Sequence, residues 1–112
     1  MGLLELETEE TDGRVRLALK GELDISSAAQ VEDALGQIES DRPGLVLLDL
    51  RELAFMDSTG LRTVVSADAR AREQGRRLAV VRGPEAVDRI FSLTRLDERL
   101  EMLDEPDGAP AG

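Results

Sequence analysis

Histidine and cysteine are both missing from this 112-residue chain, as are tryptophan and tyrosine, and the only aromatic rings are Phe55 and Phe91. Each absence closes a class of function. Without histidine or cysteine there is no Ser-His-Asp or Cys-His catalysis, and no common zinc site can be assembled. Disulfides are excluded, which is compatible with a reducing compartment. With two phenylalanines, stacking platforms for bases or sugars are scarce, and the core has to be built from Leu, Val, Ile and Ala. No apolar run approaches the ~20 residues of a membrane span, and the acidic start lacks the basic region of a secretion signal, so a cytoplasmic protein is expected.

What is present is 41% hydrophobic residues and a net charge of −10, enough apolar content for one domain with a modest core. The acidity is at the ends. Residues 1–12 carry five acids, residues 97–107 carry six acids and Arg99, and residues 13–96 balance at 13 of each sign. Such a chain has no basic stripe, which argues against nucleic acid as a direct partner and against anionic membranes.

Along the chain, Leu3 to Thr8 alternates Leu with Glu, as in a half-buried edge strand. Glu9 to Gly13 reads as a turn, and Arg14 to Lys20 alternates again, with Val15, Leu17 and Leu19 on one face. Gly21-Glu22-Leu23-Asp24 breaks that pattern. Ser26 or Ser27 is placed to cap a helix over about 27–40, whose Val31, Ala34, Leu35 and Ile38 make one apolar stripe. Leu45-Val46-Leu47-Leu48 has the pattern of a strand buried on both faces, followed by a loop to a helix from Ser58 to about Gln74, with Leu61, Val64 and Val65 facing inward. Leu78-Ala79-Val80-Val81 is a second buried strand. Pro84 to Leu93 is a short helix with Ala86, Val87, Ile90 and Phe91 inward, and Leu100 to Leu103 is a last strand or helix edge. Residues 104–112, rich in Pro, Gly and acid, are expected to be a disordered tail after a domain over 1–103. The order β-β-α-β-α-β-α-(β) predicts an α/β domain with a mixed, mainly parallel sheet.

Two motifs stand out within this frame, Gly21-Glu22-Leu23-Asp24 and Phe55-Met56-Asp57-Ser58-Thr59-Gly60-Leu61. Asp57, Ser58 and Thr59 all favour helix N-caps, and a helix start offers unpaired N–H groups to an anion. Ser58 therefore reads either as a plain cap or as an acceptor of phosphate. Gly60 costs a helix up to ~1 kcal/mol against alanine, which fits either a close-approaching partner or a packing restraint inside the chain. Of the two residues ahead, Phe55 fits the core and Met56 fits core and surface equally. Asp24 fits a helix cap as well as a partner contact.

At this spacing the two motifs resemble the STAS domain of bacterial anti-sigma factor antagonists, over about residues 3–103. The resemblance implies a four- to five-stranded sheet with helices chiefly on one side. It also implies partner switching: the unphosphorylated protein binds an anti-sigma factor that is a serine kinase, a sigma factor is released, and phosphorylation of Ser58 reverses this until a serine phosphatase acts. Glu22, Asp24, Met56, Asp57, Ser58, Thr59, Gly60 and Leu61 would form the partner contact, with Thr59 standing where a serine is often found. No cofactor, metal or small-molecule substrate is expected. The alternative within the same fold is a STAS adaptor or scaffold subunit, never phosphorylated, in a stress-signalling or lipid-transport complex. An enzyme with Ser58 as nucleophile would need Lys20, the single lysine, or a carboxylate as its base, and nothing in the pattern brings either close. A nucleotide site lacks a glycine-rich phosphate loop.

Overall fold

The computed structural model describes residues 3–106. In chain order these form β1 (Leu4–Thr11), β2 (Arg14–Leu23), α1 (Ala28–Ser40), β3 (Leu45–Asp49), β4 (Leu53–Met56), α2 (Ser58–Glu73), β5 (Arg77–Val81), α3 (Glu85–Leu93), a 3-10 turn (Leu96–Glu98) and β6 (Glu101–Leu103). The sheet runs β1-β2-β3-β5-β6, with β4 also paired to β2. Only the β1–β2 pairing is antiparallel. The expected mixed, mainly parallel α/β sheet is therefore present, with one strand more than the sequence pattern showed.

The hairpin turn is tighter than the pattern implied. β1 continues to Thr11, and Asp12-Gly13 alone reverses the chain with φ of 49° and 79°. Two positive φ values in a two-residue loop match the right-handed twist of the flanking strands. β2 in turn does not stop at Gly21. Gly21 takes φ 115°, the β2–β4 register shifts there, and the strand resumes as Glu22↔Phe55 and Leu23↔Met56. The extra residue is Ala54 of β4, left unpaired between Leu53 and Phe55, and β3 pairs with the first half of β2 while β4 pairs with its end.

All three helices pack on one face of the sheet. Val31, Leu35 and Ile38 of α1, Val64, Ala67 and Ala71 of α2, and Val87 and Phe91 of α3 join Leu17, Leu19, Leu23, Val46, Leu48, Leu53 and Val80 in one core. β3 is buried along its whole length, as its continuous apolar run predicts. Two helix residues depart from expectation: Val65 and Ala86 are exposed, because the stripes of α2 and α3 are narrower than their apolar content. The opposite face carries a small patch of Leu45, Leu47 and Ala79 with Leu103 beside it. Arg16 and the Arg77–Glu101 pair flank this patch in the strand register, and long side chains of this kind cover apolar surface with their stems. Asp104–Pro106, expected as part of a disordered tail, are placed: Asp104 pairs with Arg82 at 3.4 Å and the Pro106 carbonyl accepts from Arg14 at 3.2 Å. Residues 107–112 of that expected tail lie outside the described residues.

Asp49 ends β3 on this outer face at 3% exposure. Burial pushes its carboxyl up. Hydrogen bonds from the Arg51 side chain (2.9 and 2.8 Å), the Arg51 backbone (3.1 Å) and Arg16 (2.7 Å) outweigh burial and hold it below the usual carboxylate range. A lowered folded pKa stabilises the fold above the unfolded value of about 3.9 and is lost as pH falls through the folded one. Asp49→Asn is therefore expected to lose about 2–3 kcal/mol in urea unfolding at pH 7. The gap from wild type should shrink below about pH 4.

Candidate functional site

The two motifs meet where β2, β4 and α2 converge. Because Leu23 lies opposite Met56 in the parallel ladder, the residues that follow each strand leave the sheet side by side. The Asp57 N–H donates to the Leu23 carbonyl at 3.3 Å and ties α2 to the end of β2.

The loop from β2 to α1 is held by its own polar groups. The Ser27 hydroxyl donates to the Glu22 carbonyl at 2.8 Å and accepts from the Asp24 N–H at 3.0 Å. Ser27 occupies the N-cap position of α1 but its buried side chain serves this turn instead. Asp24 does not cap the helix with its side chain either. Its carboxylate accepts from the Ser26 hydroxyl at 2.6 Å and the Ser26 N–H at 2.9 Å. The Ser26 hydroxyl is the largest cause holding Asp24 below the ordinary carboxylate range; burial opposes it, and the Ser26 backbone N–H and Ser27 add to the lowering.

On the other side, the cap of α2 is Asp57, not Ser58. The Asp57 carboxylate accepts from the Gly60 N–H at 3.0 Å, and its carbonyl accepts from the Leu61 N–H at 3.0 Å. Ser58 is the first helical residue. It is exposed, and its hydroxyl makes no hydrogen bond among the described residues. The reading of Ser58 as a plain cap therefore fails, since the neighbouring carboxylate already does that work. The N–H groups of Ser58 and Thr59 remain as the unpaired donors of the first turn. Thr59 is half-buried, and its carbonyl accepts from the Thr63 hydroxyl at 3.2 Å.

Two expected contacts are relocated. Met56 is only 3% exposed and belongs to the core, while Phe55, expected inside, is 47% exposed. Strand alternation makes the choice: Met56 follows Leu23 onto the helix-covered side, so Phe55 points away from it. Gly60 is buried too. A Cβ there would lie 2.7 Å from the Leu23 carbonyl oxygen and 2.8 Å from Cγ of both Leu23 and Met56. The glycine thus answers to this chain's own packing and not to a partner's approach. Glu22, Asp24, Asp57 and Leu61 are each half-buried around the serine. One residue escaped the sequence reading: Ile25, 81% exposed on the loop beside Asp24. Its signal was an apolar residue isolated among Asp24, Ser26 and Ser27.

A family model, Mlab, STAS domain, matches residues 6–104. The chain belongs to the STAS domain family. Among curated relatives of this STAS domain, the anti-sigma-B factor antagonist of Listeria monocytogenes is 31% identical over 100 residues, 88% of this chain and 86% of that protein. The anti-sigma-F factor antagonist RsfB of Mycobacterium tuberculosis is 28% identical over 92 residues, 82% of this chain and 75% of the relative. A crystal structure of an anti-sigma factor antagonist from Mycobacterium paratuberculosis superposes with a TM-score of 0.82 at 25% identity, covering 94% of this chain and 89% of the other.

Gly60→Ala tests the packing at the centre of the site. Alanine favours helix by ~1 kcal/mol over glycine, yet the new methyl meets a backbone carbonyl that cannot swing aside. Overpacking of about 1–3 kcal/mol is expected to prevail, seen as a lowered Tm by calorimetry.

Proposed function

We propose that this STAS domain is an anti-sigma factor antagonist whose binding is controlled by phosphate on Ser58. The observation that carries the reading is the free, exposed Ser58 hydroxyl on a helix start already capped by Asp57. The names of its relatives support the same reading. In the unphosphorylated state the face around Ser58 binds an anti-sigma factor, and a sigma factor is set free. That anti-sigma factor is a serine kinase. Its ATP supplies the phosphoryl group: the Ser58 oxygen bonds to the γ-phosphorus, the bond to ADP breaks, and the serine proton leaves to a base of the kinase. A serine phosphatase hydrolyses the ester and restores the hydroxyl. The whole exchange takes place in the cytoplasm, and this chain is the bound regulator and phosphate acceptor, not the catalyst.

Physically, the switch needs no refolding. The Ser58 side chain holds nothing in place, so a phosphate is accommodated without moving Asp57 from its cap. It brings about −1.5 to −2 charges into a contact face that already contains Glu22, Asp24 and Asp57. A penalty of ~3 kcal/mol weakens binding by about two orders of magnitude. The contact itself rests on Glu22, Asp24, Asp57, Ser58, Thr59 and Leu61, joined by the exposed apolar side chains of Ile25 and Phe55. Met56 and Gly60 shape this face from beneath.

With purified anti-sigma factor kinases of the source organism, Ser58→Ala is expected to bind one of them with wild-type affinity and to gain no phosphate from ATP. Ser58→Asp should bind it roughly 100-fold more weakly by calorimetric titration. Equal binding of the two variants, with no phosphate gained by the wild type, would instead favour the unphosphorylated adaptor.

The apolar part of the face is separately testable. Phe55→Ser should weaken the same complex about tenfold, the effect of ~1.4 kcal/mol expected of an aromatic anchor, and leave the Tm of the free protein nearly unchanged.

A further inference from the structure

We propose that Arg62 is the intramolecular counter-ion of phosphorylated Ser58. The inference rests on the reading of Ser58 as a phosphate acceptor and adds the group that receives the phosphate. Ser58 and Arg62 are four residues apart on α2, and both are exposed. Side chains at that spacing lie one above the other on a helix surface, with Cβ atoms about 5–6 Å apart. A guanidinium on its three-carbon stem easily spans that gap to a phosphate oxygen. The order is also favourable, since an acidic group N-terminal to a basic one at this spacing makes the better pair.

The state of Arg62 singles it out. α2 carries three arginines. Arg70 is bound to Glu39 at 3.0 Å and to Glu32 at 3.4 Å, and Arg72 to Asp68 at 2.8 Å. Arg62 alone among them has no hydrogen bond or ion pair with any described residue. Nor does it serve the helix dipole, which disfavours a cation near the N-terminus. The nearest charged neighbours in the chain path are acidic: Asp57 caps the helix, and Glu22 and Asp24 lie on either side of Leu23, whose carbonyl accepts from the Asp57 N–H. A phosphate on Ser58 would stand next to the Asp57 cap, and the cation four residues on along the helix is Arg62. Planar guanidinium and phosphate oxygens suit paired, charge-assisted hydrogen bonds.

The pairing changes what phosphorylation does to the surface. The unphosphorylated face offers a partner a free guanidinium beside the serine hydroxyl. Once the phosphate is in place, that guanidinium is taken up within the chain, so a partner loses an available cation as well as meeting an anion.

The test needs no kinase, and so separates this pairing from the question of whether the cell phosphorylates Ser58. Full-length protein with phosphoserine introduced at position 58 during translation is titrated by phosphorus NMR, next to the same protein carrying Arg62→Gln. Asp24, Asp57 and Glu22 are common to both samples, so the difference reports Arg62. The second ionisation of the phosphate, ordinarily near pH 6, is expected to lie roughly 0.3–0.5 pH unit lower with arginine present at low salt. The difference should largely vanish near 1 M salt, where charges are screened within about 3 Å. Arg62→Lys is expected to retain part of the shift, as a cation without the planar fork. Superimposable titrations of the arginine and glutamine proteins would overturn the proposal.

Discussion

Gly60 lies against the Leu23 carbonyl and the side chains of Leu23 and Met56, and the position of the candidate site follows from that contact. A side chain of any size there would push α2 off the ends of β2 and β4. The hydrogen bond from Asp57 to Leu23 would then lengthen, and the cap that Asp57 gives the Gly60 N–H would open with it. Helix start, strand ends and loop are thus held by a few short contacts on which the exposure of Ser58 depends. The loop side is equally constrained, with Ser27 buried to hold the Asp24 turn.

Division of labour between two adjacent residues makes the serine available. Serine and aspartate compete for the same capping role, and either can satisfy the N–H of the third helical residue. Here aspartate takes it, one position earlier, and the serine is displaced into the first turn with nothing to hold. A hydroxyl that caps a helix could be modified only by unmaking the cap. One that caps nothing can gain and lose a phosphate while the helix stays as it is.

The two faces of the sheet solve burial differently. On one, three helices supply apolar stripes that enclose a single core. On the other, a small apolar patch sits among arginine stems and their ion pairs, and the buried Asp49 is held between Arg16 and Arg51. The outer charges run from Arg16 in β2 and Arg77 in β5 to Asp49 and Arg51 at the end of β3, whereas the serine opens α2.

By itself the sequence determined the α/β order, the buried character of β3 and β5, the three helices and the start of the second helix within the Asp57-Ser58-Thr59-Gly60 stretch. These are local patterns, periods of 2 or 3.6 residues and the residue types that start and stop helices. The tertiary structure decided the rest. β4 is four residues long with a buried-exposed-exposed-buried pattern, so it has no period to read, and only pairing with β2 beyond the Gly21 bulge makes it a strand. Phe55 and Met56 are both apolar, and which one turns inward depends on the register with Leu23. Val65 and Ala86 lie outside because burial on a helix is set by what packs against it and not by its own composition. Gly60 is needed for a contact with residues 37 and four positions away, and Asp57, its backbone tied by the N–H to the Leu23 carbonyl, has its carboxylate within reach of the Gly60 N–H and takes the cap. Distance in the chain does not report such contacts; the folded ends of β2 and β4 do.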